Sequence, residues 1–310
     1  MKETACSAAV AKNYLAVPNM ISSLTDLANV VIDGILTGLI YGLMALGLSV
    51  IFGVARVINF AHGEIMTAAM YMSVILFSAL GVDPFLALAP IAVLFFFLGY
   101  LLQARVIQPF VNRPDHAQFM LLLAIAVILT NAQLAIFGPD ARGIRLDALL
   151  DSVEIGSLLI DRGKLYAAFV ALGSAAGLFG FFRFTGTGTA IRACADNQLG
   201  ARVIGLNIAR LYAVAFGLGA ASVAVAGCML TLLVDLTPGL GPAYTLLAFV
   251  VVIVGGLGSM SGALAGGVLI GVSEALAGFY VAPSAKSMVS FALLIVVLIL
   301  RPRGLLGNAS

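Results

Sequence analysis

The chain has 310 residues, 62% of them hydrophobic and only 10% charged, and its mean hydropathy is +1.14, whereas a soluble domain is about half apolar and about one-quarter charged. So few charges cannot cover a water-facing surface, which excludes a soluble enzyme. The net charge of +2, with arginines at the ends of apolar blocks, excludes the single basic face that a nucleic-acid partner requires.

Residues 1–26 carry Lys2 and Lys12 but no continuous apolar run before Pro18, so they read as a partly polar extension and not as a cleaved signal peptide. Apolar blocks follow at about 30–53, 64–81, 85–107, 117–137, 164–184, 211–234, 244–281 and 286–300. Most are near the length of about twenty residues that a helix needs to cross about 30 Å of hydrocarbon. They predict an all-α, polytopic integral membrane bundle of about eight or nine transmembrane helices filling 27–307, with 308–310 as a tail. The seventh block is too long for one crossing. The run Gly255-Gly256-Leu257-Gly258-Ser259-Met260-Ser261-Gly262 breaks it, because clustered glycines penalise a continuous helix, and the result is a discontinuous element.

The connectors differ in charge. Those at 103–116 (Arg105, Arg113) and 183–210 (Arg183, Arg192, Arg202, Arg210), with the tail (Arg301, Arg303), are rich in arginine, which places them in the cytoplasm. The 138–163 connector holds Asp140, Asp147, Asp151, Glu154 and Asp161 and is expected outside. This parity puts the N-terminus outside and the C-terminus inside. Glycines spaced for close helix contact recur at Gly34, Gly38 and Gly42, at Gly173 and Gly177, at Gly262 and Gly266, and at Gly267 and Gly271.

Polar residues inside apolar blocks are the candidates for function, since ionisable groups at membrane depth are costly and tend to mark pathways. Asn59, His62 and Glu64 follow Arg56 between the first two blocks and read either as a solvated turn or as the lining of a path. Thr130, Asn131 and Gln133 interrupt the fourth block, Ser259 and Ser261 sit in the Gly-rich break, and Glu274 stands alone in a long uncharged stretch. A lone carboxylate there must be paired, protonated or facing water.

The connector at about 185–210 is the most structured. Thr185 to Thr189 suits a capping loop, Ala190 to Val203 reads as one helix stopped by Gly205, and Asn207 suits a cap for the next span. Ala190, Ala193, Asp196, Gly200 and Ala201 make that helix a small-residue surface for another protein. Catalytic signatures are missing. Of the four lysines only Lys286 precedes a serine, and Ala285 stands where a P-loop needs glycine. Cys6, Cys194 and Cys228 lie far apart and read as small apolar fillers, so no metal site is expected.

The strings Gly42-Leu43-Met44-Ala45-Leu46-Gly47-Leu48, Val57-Ile58-Asn59-Phe60-Ala61-His62-Gly63-Glu64, Arg192-Ala193-Cys194-Ala195-Asp196, Gly205-Leu206-Asn207, the Gly-rich break and Arg301-Pro302-Arg303-Gly304-Leu305-Leu306-Gly307 occur in one order. In this the chain, from about residue 30, resembles the permease subunits of bacterial ABC importers for branched-chain amino acids. A longer N-terminus and Cys194 depart from the usual pattern. The resemblance implies a bacterial inner-membrane transport subunit that works by alternating access. It implies a second related permease, two cytoplasmic ATPases that hold ATP and Mg, and a periplasmic substrate-binding protein, with no cofactor on this chain. It also gives Ala190, Arg192, Ala193, Asp196, Gly200, Ala201, Gly205 and Asn207 a part in coupling to the ATPase. Permeases for urea and short amides share these motifs, so substrate stays open, and a stand-alone secondary transporter or channel is the other class to weigh.

Overall fold

The computed structural model describes residues 3–111, 113–146, 149, 151–156 and 158–307, with side chains described from residue 24 onward except at 115 and 155. Asp147 and the 308–310 tail therefore lie outside the described residues. Among the described residues eleven α-helices run in chain order: α1 (Glu3–Ala55), α2 (His62–Leu80), α3 (Pro84–Leu101), α4 (Asp115–Phe137), α5 (Arg162–Phe184), α6 (Gly186–Asp196), α7 (Gln198–Val203), α8 (Ile208–Leu230), α9 (Leu240–Gly255), α10 (Met260–Tyr280) and α11 (Ala285–Leu300). Among the described residues seven helices are long and apolar enough to span a bilayer, and α9 and α11 are shorter apolar helices, so the fold is an all-helical polytopic bundle.

Among the residues with described side chains α1 is a candidate span over Leu24–Ala55, and its helical backbone is continuous with the stretch expected as an extension. The long seventh block divides as expected. Gly256 (φ 114°) and Gly258 (φ 79°) hold backbone conformations that a side chain disfavours, and Ser259 Oγ then accepts the Gly262 amide at 3.1 Å to cap α10.

Connectors sort to the two ends of the bundle. At one end α1 finishes beside Gly258, and Arg192 of α6 shares a small cavity with Ser49, Gly53 and Gly258. The C-terminal segment arrives there too, with Leu305 and Leu306 donating to Val254 O and Gly255 O, both at 2.9 Å. All the arginine-rich connectors gather at this end, because Gln108 and Val111 share a cleft with Arg202 and Asn207. At the other end lies a β-hairpin that the sequence reading did not anticipate: β1 (Ser152–Ile155) pairs antiparallel with β2 (Leu158–Asp161), Val153 opposite Ile160. Leu159 N donates to Asn29 Oδ1 of α1 at 3.1 Å, and Lys164 pairs with Asp33, so the hairpin end is tied to the start of the first span.

Helices α1 and α8 are the most buried spans, and α3, α4 and α5 are the most exposed. In lipid the hydrophobic effect does not draw helices together, so association depends on close backbone packing. Glycine permits it along the α1–α10 seam: a Cβ on Gly267 would lie 2.4 Å from Gly42 Cα, and one on Gly271 would lie 2.4 Å from Gly34 O. Gly262 and Gly266 pack in the same way on Gly255. Gly173 and Gly177 differ, for a Cβ there would meet nothing within 4 Å. Their spacing matched the contact pattern, but both are exposed, and Gly177 lines an open cleft that separates α5 from α3 and α8. Gly267→Val is therefore expected to destabilise the purified protein by about 1–3 kcal/mol, as overpacking does, and to lower its melting midpoint in detergent. Gly173→Val, the same change in open space, should leave that midpoint unchanged.

Candidate functional site

Past the end of α1 the chain does not remain at the bundle surface. Arg56 turns in the left-handed region (φ 52°), and the segment to Ala61 runs back along α1 until His62 Nε2 donates to Met44 O at 3.0 Å. Met44 lies about 16 Å up the helix from Ala55, at about 1.5 Å per residue, a distance six extended residues can cover. Helix α2 thus starts inside the bundle. Arg56 is exposed, as a solvated turn would have it, whereas Asn59, His62 and Glu64 are buried.

A helix start at this depth has amide groups with no partner in its own helix, and lipid supplies none. Asn59 Oδ1 accepts the Ala61 amide at 3.1 Å. Thr245 of α9 accepts the Gly63 amide on its Oγ1 at 2.8 Å, and the same hydroxyl reaches Glu64 Oε2 at 3.2 Å. Gln133 of α4 donates to Glu64 O at 3.0 Å. Only glycine fits at 63, since a Cβ would lie 2.0 Å from Gly241 O. Three helices therefore hold the buried end of α2. Three atoms in this cluster have no hydrogen-bond partner among the described residues: Asn59 Nδ2, His62 Nδ1 and Gln133 Oε1. They leave it unused donor and acceptor capacity.

Glu274 lies elsewhere. Its Oε1 accepts from Ser290 Oγ of α11 at 2.6 Å, and it lines a cavity of about 280 Å³ with Tyr41, Tyr244, Lys286, Ser290 and Phe291. Asn131 is exposed on α4 and donates to Val127 O of its own helix. Ser259 caps α10 and Ser261 is exposed beside it, at the end where the connectors gather. The candidates for a path thus fall in separate places: a buried group of Asn59, His62, Glu64 and Gln133, the Glu274 cavity, the serines of the break, and Asn131 alone. Sequence reasoning missed Thr245, Tyr41, Tyr244 and Ser290. Each is a neutral hydroxyl, so the criterion that singled out Glu274, a charge in an uncharged stretch, passes over them.

The 185–210 segment folds as two helices, which corrects the single helix expected over Ala190 to Val203. Asn197 takes an extended backbone (φ −147°), ends α6 and caps α7 by accepting the Gly200 amide at 2.8 Å. Asparagine competes for backbone partners in this way, and the alanine-rich run around it concealed the break. Thr185 caps α6 by accepting the Gly188 amide, Gly205 (φ 85°) follows α7, and Asn207 caps α8 by accepting the Arg210 amide at 3.1 Å. Arg192, Ala193 and Asp196 are exposed, whereas Ala201 is buried and Ala190 and Gly200 are half-buried. The outward face is apolar instead of small: Leu199, Val203 and Ile204 are 74%, 81% and 72% exposed. Burial raises the pKa of the Cys194 thiol, so it stays a neutral filler.

A multi-pass membrane protein with a polar group at the buried end of an interrupted span and an outward apolar face on short helices beyond the spans is built as a transport permease. Residues 30–298 match the family described as the permease component of the branched-chain amino acid transport system. The chain is 32% identical over 294 residues to the high-affinity branched-chain amino acid transport system permease protein LivH of Salmonella typhimurium, covering 89% of this chain and 94% of that protein. It is 29% identical over 292 residues to the corresponding permease protein BraD of Pseudomonas aeruginosa, with the same coverage. A looser likeness, at 13% identity and a TM-score of 0.48, covers 87% of this chain and 91% of a chain in the structure of PsaBC from Streptococcus pneumoniae in complex with Fab. The chain belongs to the permease components of branched-chain amino acid transport systems.

The weight carried by Thr245 is measurable. Thr245→Val leaves the Gly63 amide unpaired and is expected to cost about 1–3 kcal/mol, the penalty for a buried donor without a partner. Thr245→Ser should recover most of that loss in a detergent melting assay.

Proposed function

We propose that this permease forms one half of the translocation unit of an ATP-driven importer of branched-chain amino acids in a bacterial inner membrane. A second, related permease supplies the other half. Two cytoplasmic ATPases bind ATP and Mg, and a periplasmic binding protein delivers the amino acid; the chain itself holds no cofactor. The observation that carries this reading is the exposed face of Leu199, Val203 and Ile204, flanked by Arg192, Asp196 and Arg202, on short helices outside the spans. An apolar patch with a charged rim fits a protein partner. The chain has no P-loop of its own, which suits an energy source on that partner. The end that gathers the arginines is then cytoplasmic, and the β-hairpin end faces the binding protein.

Coupling runs through α6 and α7, where Arg192, Ala193, Asp196 and Gly200 lie on or beside the docking face, while Ala190, Ala201, Gly205 and Asn207 fix its shape. Substrate passes the polar groups inside the bundle. Asn59, His62, Glu64 and Gln133 form the buried constriction, Glu274 lies toward the outer end, and Ser259 and Ser261 lie at the cytoplasmic end. Asn131, exposed on α4, faces the second permease. Alternating access opens these positions in turn.

Leu199→Asp together with Val203→Asp is expected to cut uptake of radiolabelled leucine by cells at least tenfold and to abolish co-purification of the ATPases, with the chain still in the membrane. Unchanged uptake and unchanged association would overturn the coupling assignment. Excess isoleucine should compete with leucine uptake in wild-type cells, whereas competition by urea or acetamide instead would assign the other substrate class.

A further inference from the structure

The cavity around Glu274 contains two opposite charges that are not joined. Glu274 projects from α10 and Lys286 from the first turn of α11, and both line the same space of about 280 Å³. Among the described residues the ion pairs within 4 Å are Arg162–Asp151 and Lys164–Asp33, so Glu274 and Lys286 do not neutralise each other. The reason is geometric. Lys286 passes over Gly278, where a Cβ would lie 2.5 Å from Lys286 Cε. Gly278 lies one turn beyond Glu274, so the ammonium is held about one turn, roughly 5 Å, farther along α10 than the carboxylate.

The cavity floor is the carboxylate, buried and met by the Ser290 hydroxyl at 2.6 Å with the Tyr41 hydroxyl beside it. A buried carboxylate met by neutral hydroxyls and no cation is short of compensation, and a cation entering the cavity would supply it. Lys286 is exposed and leaves the mouth able to take an anion. Between them, Leu247, Val250 and Phe291 give the wall an apolar surface. The volume lies near the lower end of the range for small-molecule sites, about 300–1,000 Å³. An ammonium and a carboxylate on one carbon, with a branched apolar side chain, match these features one for one. Glu274 is six residues from the end of α10 at Tyr280, or about 9 Å, so the site lies in the hairpin-end part of the bundle.

We propose that this cavity binds a free α-amino acid as a zwitterion, with Glu274 receiving the ammonium, Lys286 the carboxylate and the Leu247–Val250–Phe291 wall the side chain. The inference rests on the reading of this chain as an amino-acid permease. It adds that the permease recognises both charges of its cargo directly. A lipid headgroup with a primary ammonium and a phosphate shares part of this chemistry, and the experiment separates the two sources.

The test is photolabelling with photo-leucine, the diazirine analogue of leucine, in native membranes that carry the chain with its transport partners, followed by peptide mass spectrometry. Adducts are expected within 243–250 and 283–291. Excess leucine should reduce them at least tenfold. Leucine methyl ester, without the carboxylate, and 4-methylpentanoate, without the ammonium, should each compete at least tenfold less well. Glu274→Gln keeps an acceptor for Ser290 while removing the charge, and it should lose at least nine-tenths of the adduct. Lys286→Gln, at an exposed position, should do the same without disturbing the packing. Adducts elsewhere, equal competition by all three compounds, or adducts that respond to added phosphatidylethanolamine but not to leucine would overturn the proposal. Leucine uptake by the same membranes is read in parallel. Uptake without cavity adducts defeats this site alone, and no leucine uptake in the wild type defeats the permease reading beneath it.

Discussion

Hydrocarbon offers no hydrogen bonds, so a helix that begins inside a membrane protein must find partners for its first amides among neighbouring helices. That constraint organises this structure. Once the chain turns back at Arg56 and starts α2 beside Met44, its first amides are taken by Asn59 and Thr245, and Gln133 donates to the Glu64 carbonyl beside them. Thr245 fixes α9, Gln133 fixes α4 and Met44 fixes α1 around one point. The polar cluster in the middle of the bundle is therefore both a structural requirement and the place where a polar cargo would find hydrogen-bonding capacity.

Helix α9 joins this point to the end where the arginine-rich connectors gather. Its first turns meet α2 at Gly241 and Thr245, and its last carbonyls, Val254 and Gly255, are capped by the amides of Leu305 and Leu306 from the C-terminal segment. The break at 256–259 then touches the end of α1 at Gly53 and shares a cavity with Arg192 and Ala195 of α6. A movement of α6 has a contiguous route, through packed backbone and one short helix, to the start of α2. The glycine seam between α1 and α10 packs those two helices closely against each other.

Much of this was legible in the sequence, because membrane helices declare themselves through length and apolarity. The break at 255–262 and the cap at Asn207 were equally clear, since glycine and capping residues act locally, whereas the loop expected over Thr185 to Thr189 is helical from Gly186, with Thr185 alone as its cap. Glu274 stood out because a charge among so many apolar residues has one obvious meaning. Thr245 did not, because a threonine in a valine-rich run resembles filler until its hydroxyl is seen to serve another helix. The depth of His62 was open for a related reason: a polar cluster between two apolar blocks reads the same whether the chain turns in water or doubles back. The hairpin at 152–161 was missed although Val153, the Gly156 turn and Ile160 alternate as strands do, because that connector was read for charge alone.

The account depends most on the buried start of α2. Hydrogen–deuterium exchange of the peptide spanning 57–66, measured by mass spectrometry on the protein in lipid nanodiscs, tests it directly. The amides of Ala61, Gly63 and Ile65, bonded to Asn59, Thr245 and the Ala61 carbonyl, should remain largely unexchanged after hours. Complete exchange of that peptide at the first time point would show a solvated turn instead and contradict the account.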